Sequence, residues 1–359
     1  MMNKLKTIEE VQAAVKGAKR VLPRGGGSKP ALSTPPEGTE TIELGDLVGV
    51  EEYDPDELTF TALAGTYLTQ VEKMLAAHGQ YLPFDPPLVE RGATLGGTVA
   101  AGLSGPGRYH YGGIRDFLLG VCFIDSQGQI VRGGGKVVKN VAGFDLPKLM
   151  IGSRGSLGVL VELTFKVFPK PQAFVTLRAR FTHLEEALKA MQRVAAARLE
   201  LDALDLEATP DGYTLLVRLG GFENALPTRL ERLREQLDEP AILQGPDEQQ
   251  LWRLVREFAW VPVGWTLVKV PLTPGRLPSL EKVLAARSIL RRYMAGGQVA
   301  WIALEDPPKS LAGVLETHGL SGVVLFGPAG TPRLGELDGR AFYRRVKDVL
   351  DPAGRFVEA

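Results

Sequence analysis

The stretch RGATLGGTVAAGLSGPGRYHYGGIRD, residues 91–116, decides how this 359-residue chain is interpreted. Its small residues from Thr94 to Ala101 favour a helix whose backbone a large flat ligand could approach closely. A tight contact between two helices is the alternative explanation for these small residues. The following residues, 105–113, hold too much glycine for a regular element, and such long loops are more often functional than structural.

Two further glycine-rich segments lie on either side of this stretch. PRGGGS, residues 23–28, follows a predicted strand, and its glycines let backbone N–H groups converge on a phosphate or pyrophosphate. Arg24 would add a charge-assisted contact and Ser28 a hydroxyl, whereas a plain flexible turn is the alternative. The segment 133–169 contains GSRGSLGVL before a predicted strand and again offers backbone donors. Neither a Walker A motif nor G-x-G-x-x-G occurs, which argues against P-loop and ordinary Rossmann folds.

The composition excludes several classes of protein. There are 42 basic and 42 acidic side chains, and this balance argues against a nucleic-acid binder or a polybasic membrane anchor. The absence of a long apolar run and of an N-terminal signal pattern predicts a cytoplasmic protein with no membrane span. The single cysteine, Cys122, excludes an intramolecular disulfide and a cysteine-ligated cluster. We expect Cys122 to be a buried apolar residue.

Hydrophobic periodicity predicts an α+β protein. Thr7 and Glu10 form a capping-box pattern at the start of the first helix. FPKP, residues 168–171, marks a domain boundary, and beyond it strands alternate with helices in the manner of an antiparallel sheet covered by helices. One predicted helix covers residues 277–288, and the next predicted strand begins at Val299.

The glycine-rich segments, taken in order with LPFDPP at 82–87, resemble the flavin-binding domain of the vanillyl-alcohol oxidase/p-cresol methylhydroxylase (PCMH) family. Within it, the E-type FAD-binding subunits of bacterial glycolate oxidases are most similar, particularly at KNVAGFD, residues 139–145. The resemblance implies a two-part PCMH-type FAD-binding domain at 1–170 and a ferredoxin-like α+β cap at 171–330. Residues 331–359, which include a family-like DPAGRF, would return to the FAD domain as a C-terminal helix and tail.

The resemblance also implies which residues bind the cofactor. The first loop would hold the pyrophosphate, the second segment would line the flavin, and Gly158 with Val159 would meet the adenine end. The implied cofactor-binding residues are Pro23, Arg24, Gly25, Gly26, Gly27, Ser28, Pro86, Thr94, Gly96, Gly97, Ser104, Arg108, Gly158 and Val159. Some family members attach FAD through a histidine in the first loop, where this chain has Ser28 and Lys29, so we expect non-covalent FAD.

The catalytic residues are less defined by the sequence. His110 could approach the flavin or simply face solvent. Arg108 and Arg115 could bind a substrate carboxylate, contact an FAD phosphate, or pair with Asp116. The four histidines are not spaced as metal ligands on one element, and we therefore expect no metal site.

The function implied by the resemblance is an FAD-binding oxidoreductase subunit of a glycolate oxidase-like complex. Such a complex oxidises a 2-hydroxy acid, glycolate to glyoxylate. Its other components would be a D-type flavoprotein subunit and an F-type iron–sulfur subunit, the latter as electron acceptor. Association with the inner face of a membrane would then be peripheral and through these partners. Two alternatives stay open: a non-catalytic assembly or electron-relay subunit, and a stand-alone FAD dehydrogenase for another hydroxy acid.

Overall fold

The computed structural model describes residues 5–135, 144–209, 211–287, 289–328, 332–336 and 339–357. Helices occur along the whole of this described part. They are α1 (Ile8–Gly17), α2 (Pro30–Ser33), α3 (Leu68–Ala76), α4 (Leu95–Ala101), α5 (Arg108–Tyr111), α6 (Leu146–Met150), α7 (Leu184–Ala196), α8 (Leu226–Arg234), α9 (Gly245–Arg256), α10 (Leu277–Leu284), α11 (Lys309–Thr317) and α12 (Arg340–Leu350). None of these helices is long and apolar enough to cross a bilayer.

The strands of the described residues are shorter on average than the helices. They are β1 (Val21–Arg24), β2 (Glu40–Glu43), β3 (Val50–Asp54), β4 (Thr59–Leu63), β5 (Gln80–Tyr81), β6 (Leu118–Ile124), β7 (Ile130–Gly134), β8 (Val159–Lys166), β9 (Phe168–Pro169), β10 (Ala173–Phe181), β11 (Ala203–Thr209), β12 (Gly212–Gly221), β13 (Ala241–Gln244), β14 (Thr266–Pro271), β15 (Ile289–Met294), β16 (Val299–Leu304), β17 (Ser321–Phe326) and β18 (Arg333–Gly335).

The chain divides into two compact units. The described residues of Met1–Ser104, Gly113–Lys170 and Asp338–Ala359 form the first, and those of Gly105–Gly112 and Pro171–Leu337 form the second. The division after Lys170 falls within the FPKP segment. The segment Gly105–Gly112 lies inside the range 1–170 but packs with the second unit, since Tyr111 Oη donates to Asp202 Oδ1 at 3.2 Å.

The first unit is built on an antiparallel sheet with the strand order β3-β4-β8-β6-β7 among the described residues. All but one of the β6 residues are buried. Helix α1 begins with the predicted capping box: Thr7 Oγ1 accepts from Glu10 N, and Glu10 Oε2 accepts from Thr7 N, both at 3.2 Å. Its Val11 and Val15 are fully buried and anchor it to the core.

The DPAGRF ending closes the first unit. Asp351 is 3% exposed. Its carboxylate pairs with Lys347 Nζ at 2.9 Å and accepts hydrogen bonds from the backbone N–H groups of Arg355 and Phe356. The Arg355 guanidinium donates to the carbonyls of Val15, Lys16 and Ala18 at the C-terminal end of α1. A cation there satisfies carbonyls that the helix itself leaves unpaired.

The second unit consists of two βαββαβ halves joined edge to edge. The described strands of the first half are ordered β13-β10-β12-β11 and those of the second β15-β16-β14-β17, the same order within each half. This is the ferredoxin-like arrangement implied by the resemblance, present twice. The equivalent strands β11 and β15 pair antiparallel, with Leu206 opposite Tyr293, and form one continuous sheet.

Strand β15 is the main element that the sequence prediction missed. The predicted helix 277–288 ends at Leu284, and β15 begins at Ile289. Its two arginines hid the apolar pattern of a buried strand. In the structure each buried arginine has an acidic partner: Arg291 pairs with Glu281 of α10, and Arg292 pairs with Glu207 of β11 at 3.0 Å. Because Arg291 and Arg292 are consecutive in a strand, they point to opposite faces of the sheet.

Candidate cofactor-binding site

The glycines of the first loop are required by close packing. A Cβ on Gly26 would lie 1.7 Å from the carbonyl oxygen of Gly92, and one on Gly25 would lie 2.2 Å from Thr94 Oγ1. Gly27 has open space around it but a φ of +67°, which favours glycine. The loop is therefore a fitted piece of backbone, and the flexible-turn alternative does not hold.

The loop rests against the start of α4, whose small residues have separate roles. Thr94 caps the helix, with its Oγ1 accepting from Gly97 N at 3.2 Å. A Cβ on Gly96 would lie 2.8 Å from the Cβ of Ala64, so Gly96 permits packing against the chain just after β4. The tight contact is thus with a strand end and not with a second helix. A Cβ on Gly97 would lie 3.0 Å from Thr94 Oγ1 and 4.0 Å from Lys29 Nζ, so Gly97 lies close to the cap of its own helix and to Lys29.

A cleft lies between this loop, α4 and residues 154–160. It encloses about 670 Å³ of unfilled space, including the solvent at its mouth. Ten of the predicted cofactor-binding residues line it. They are Pro23, Arg24, Gly25, Gly26, Gly27, Ser28, Thr94, Gly96, Gly97 and Gly158.

Four other predicted residues are not in this lining. Pro86 is buried, and Val159 is fully buried at the start of β8. The buried Ser104 Oγ accepts a hydrogen bond from Ile114 N at 2.9 Å, so this side chain links two segments of backbone. Arg108 belongs to the second unit.

The two catalytic candidates lie in different surroundings. His110 is exposed in α5 of the second unit, and its ring meets that of Tyr111 edge-on at 4.4 Å. Burial raises the pKa of the nearby Asp202 carboxyl, while the charges of Arg218 and His110 oppose that rise. Arg115 is exposed in the first unit, where its charge helps to lower the pKa of Asp145. The structure does not bring His110 and Arg115 together in one unit.

Sequence reasoning missed four polar or glycine positions in the cleft: Lys29, Ser33, Arg154 and Gly155. Lys29 directly follows the glycine loop, is 5% exposed, and donates from Nζ to Ser28 Oγ at 2.8 Å. Burial lowers its pKa to about 8. Arg154 and Gly155 belong to the GSRG motif of the third segment, so the signal was present in the sequence.

Two other features singled out in the sequence are the KNVAGFD motif and Cys122. Most of KNVAGFD lies outside the described residues, apart from Phe144 and Asp145, and Asp145 Oδ1 caps α6 by accepting from Lys148 N at 3.2 Å. Cys122 is 1% exposed, and burial raises its pKa to about 11. Across the described residues, no three His, Cys, Asp or Glu side chains are grouped as metal ligands would be.

The cleft fits the phosphate-bearing part of a dinucleotide. Its wall is lined by Gly25, Gly26 and Gly27, which carry no side chain to cover their backbone, and the buried ammonium of Lys29 has a hydroxyl as its hydrogen-bond partner. Backbone donors and a buried cation are the groups that bind pyrophosphate in proteins.

Residues 3–134 match the family model described as an FAD binding domain. The chain is 33% identical to glycolate oxidase subunit GlcE of Escherichia coli K12 over 359 residues, covering 97% of this chain and 94% of that protein. The chain belongs to the GlcE family of FAD-binding oxidoreductases. The expectations of an FAD cofactor and an α+β fold of the PCMH type are thereby confirmed.

More distant relatives match part of the chain. Glycolate oxidase subunit GlcD of Bacillus subtilis is 31% identical over 209 residues, 58% of this chain and 44% of that protein. A D-lactate dehydrogenase of Archaeoglobus fulgidus is 32% identical over 202 residues, 54% and 44% respectively. A solved structure of alkyldihydroxyacetonephosphate synthase superposes with a TM-score of 0.71 at 18% identity, covering 98% of this chain and 74% of that chain. This last similarity is one of fold.

Proposed function

We propose that this chain is the FAD-binding subunit of a glycolate oxidase-like complex that oxidises a small 2-hydroxy acid to the 2-oxo acid. The cleft of the first unit supports this proposal most directly, because its glycine positions are fitted to a backbone cradle. Its support from the comparisons is the similarity to GlcE along 97% of the chain. By the same proposal, residues 1–170 form the cofactor domain and residues 171–330 the cap.

The chain would hold FAD mainly through its phosphates. The N–H groups of the loop 25–28 and the ammonium of Lys29 would bind them, and the capped start of α4 would fix the opposite wall. Bound FAD supplies a two-electron acceptor for the hydride that leaves the hydroxyl-bearing carbon. We propose non-covalent binding, because Ser28 and Lys29 occupy the positions at which the histidine attachment would be expected.

The substrate carboxylate would bind to a basic row on the sheet of the second unit. Lys269 of β14 lies opposite Trp301 of β16, which lies opposite Arg292 of β15, so the three side chains share one face. Burial lowers the pKa of Lys269 to about 8, and the nearby charge of Arg108 also acts to lower it. Arg292 is 3% exposed, and its Nε and Nη1 have no hydrogen-bond partner among the described residues.

The nearby charges of Lys269 and Arg108 favour a carboxylate, in preference to the flavin, as the partner of Arg108. Arg292 already pairs with Glu207 at 3.0 Å and would add its remaining donors, Nε and Nη1. Burial and the charge of Arg108 both disfavour the ammonium form of Lys269, and an anion between these two groups would relieve the repulsion. We expect Lys269→Met to weaken binding of glycolate or its analogue oxalate by about tenfold or more, because a charge-assisted contact is lost. Lys282→Met, at an exposed position on α10, is the matched control. Unchanged binding in Lys269→Met would remove this site from the proposal.

The partners are an extension of the same proposal. The names of the relatives GlcE and GlcD identify subunits of a glycolate oxidase, and we infer a multi-subunit complex for this chain as well. A GlcD-like protein would be the second flavoprotein, and the F-type iron–sulfur subunit would accept the electrons.

The test is glycolate-dependent reduction of an artificial electron acceptor by the co-expressed subunits. We expect activity with all three subunits and its loss when this chain is omitted. Anaerobic mixing of the FAD-loaded chain with glycolate then separates the roles: bleaching of the flavin indicates that this chain oxidises substrate, and an unchanged flavin indicates an electron-relay or assembly role. Full activity of the two partner subunits without this chain would contradict the proposal.

A further inference from the structure

Lys29 stands out among the residues of the cleft as a buried cation that has no carboxylate partner within the described part of the chain. Its side chain is almost fully enclosed, and among the described residues its single hydrogen bond runs from Nζ to Ser28 Oγ at 2.8 Å. Its backbone is held firmly, because Lys29 O accepts from Leu32 N at 3.0 Å and from Ser33 Oγ at 2.9 Å. An ammonium group has three donors, so most of its hydrogen-bonding capacity is unused within the described structure.

The charged groups around Lys29 do not compensate it. Helices α2 and α4, which border it, carry no charged side chain. Arg24 lines the same cleft but donates to Glu43 Oε2 at 3.0 Å, and this leaves Glu43 already engaged. The other charge in the lining is Arg154, itself a cation. Burial is accordingly the cause of the low pKa of Lys29, about 8, with no nearby charge contributing.

We propose that Lys29 is the counter-charge for the phosphates of FAD, and that FAD binding is coupled to the uptake of a proton by Lys29. This inference rests on the proposed function of the cleft as an FAD site. Burial favours the neutral amine when no anion is bound, whereas a phosphate beside Nζ stabilises the ammonium form. Arg24 does not have this role, because its charge is already paired with Glu43.

The coupling has a measurable size. With a pKa of about 8 in the free chain, Lys29 is roughly nine-tenths protonated at pH 7 and one-tenth at pH 9. If bound phosphate returns the pKa to the ordinary value of about 10.4, the dissociation constant of FAD should rise about tenfold from pH 7 to pH 9. At pH 8.5, binding should take up about three-quarters of a proton per chain.

The experiment is titration of the cofactor-free chain with FAD by flavin fluorescence and by calorimetry in buffers of different ionisation enthalpy. Lys29→Met should bind FAD more weakly at pH 7, with little change in affinity between pH 7 and 9 and no proton uptake. Lys29→Arg keeps a permanent charge and should retain binding while losing both the pH dependence and the proton uptake. Lys73→Met, at an exposed position on α3, is the matched control and should behave like the wild type.

The experiment distinguishes failure of the proposed role of Lys29 from failure of the proposed FAD site. If the wild-type chain binds FAD with no proton uptake and a flat pH profile, or if Lys29→Met shows the wild-type profile, the role of Lys29 is wrong while the FAD site stands. If the folded wild-type chain binds no FAD at any pH, the proposed function itself fails. Circular dichroism of each variant at pH 7 establishes that it is folded before the comparison is made.

Discussion

Replacing Gly26 with alanine should severely weaken FAD binding. The new Cβ would lie 1.7 Å from Gly92 O and 2.9 Å from Gly92 C, about half the distance of an ordinary contact in the case of the oxygen. The obstacle is backbone, and it is held in place: Gly92 has a φ of +77°, and its N–H donates to Val89 O at 3.2 Å. The loop must therefore move away from the wall that it is fitted to.

Overpacking of this kind typically costs about 1–3 kcal/mol. If that cost falls on the loop geometry that binds phosphate, the dissociation constant of FAD should rise by roughly 5- to 150-fold. Gly27→Ala should do less harm, because nothing lies within 4 Å and only its positive φ is unfavourable. Gly17→Ala, also in open space but at the end of α1, is the control outside the cleft.

The assay is fluorescence titration with FAD, together with urea unfolding of each cofactor-free variant. We expect Gly17→Ala to bind FAD most tightly, Gly27→Ala less tightly and Gly26→Ala most weakly. Wild-type affinity and stability in Gly26→Ala would refute the idea that the loop is fitted against residues 92–94.

Three further predictions concern stability and reactivity. Without FAD at pH 7, Lys29→Met should raise the free energy of unfolding by up to about 3 kcal/mol. The lowered pKa of Lys29 makes the folded wild type bind fewer protons than the unfolded chain between about pH 8 and the ordinary lysine pKa. The wild type therefore gains stability as the pH rises through this range, and the difference in stability between Lys29→Met and the wild type shrinks. Urea unfolding of both proteins at pH 7 and 9.5 measures this difference, and the same difference at the two pH values would contradict the prediction. Arg355→Ala should cost about 2 kcal/mol in the same assay, because the carbonyls at the end of α1 lose their donor, whereas Arg344→Ala, at an exposed position, should cost little. Equal losses of stability in the two variants would count against this role of Arg355. Cys122, buried and with its pKa raised to about 11, should react with a thiol reagent at pH 8 only after unfolding, and rapid labelling of the native chain would place it at the surface.

The sequence predicted which residues line the cleft better than the contacts that position them. PRGGGS begins at the end of β1, which ends two residues later than the predicted strand. The reason for Gly26 is the carbonyl of Gly92 and that for Gly25 is Thr94 Oγ1, both more than sixty residues away. No local pattern reveals such a partner. Lys29 was visible as the next residue along the chain, yet a lysine acquires a binding role only when its surroundings remove it from water.

The second unit shows the other limit of sequence reasoning. Alternating strands and helices predicted its class, but ILRRYM, residues 289–294, did not stand out as a buried strand because two arginines interrupt its apolar residues. Their partners, Glu281 and Glu207, come from a helix and a strand elsewhere in the unit. The duplication of the βαββαβ half was also hidden, since it is a repeat of strand order and not of residues.

The visible absorption spectrum of the purified chain, before and after acid precipitation, is the most direct test of the FAD site. We expect a flavin spectrum, either as purified or after reconstitution with FAD, whose colour stays in the acid supernatant. Colour in the pellet would contradict non-covalent attachment. A folded chain that stays colourless after incubation with FAD would contradict the FAD site itself.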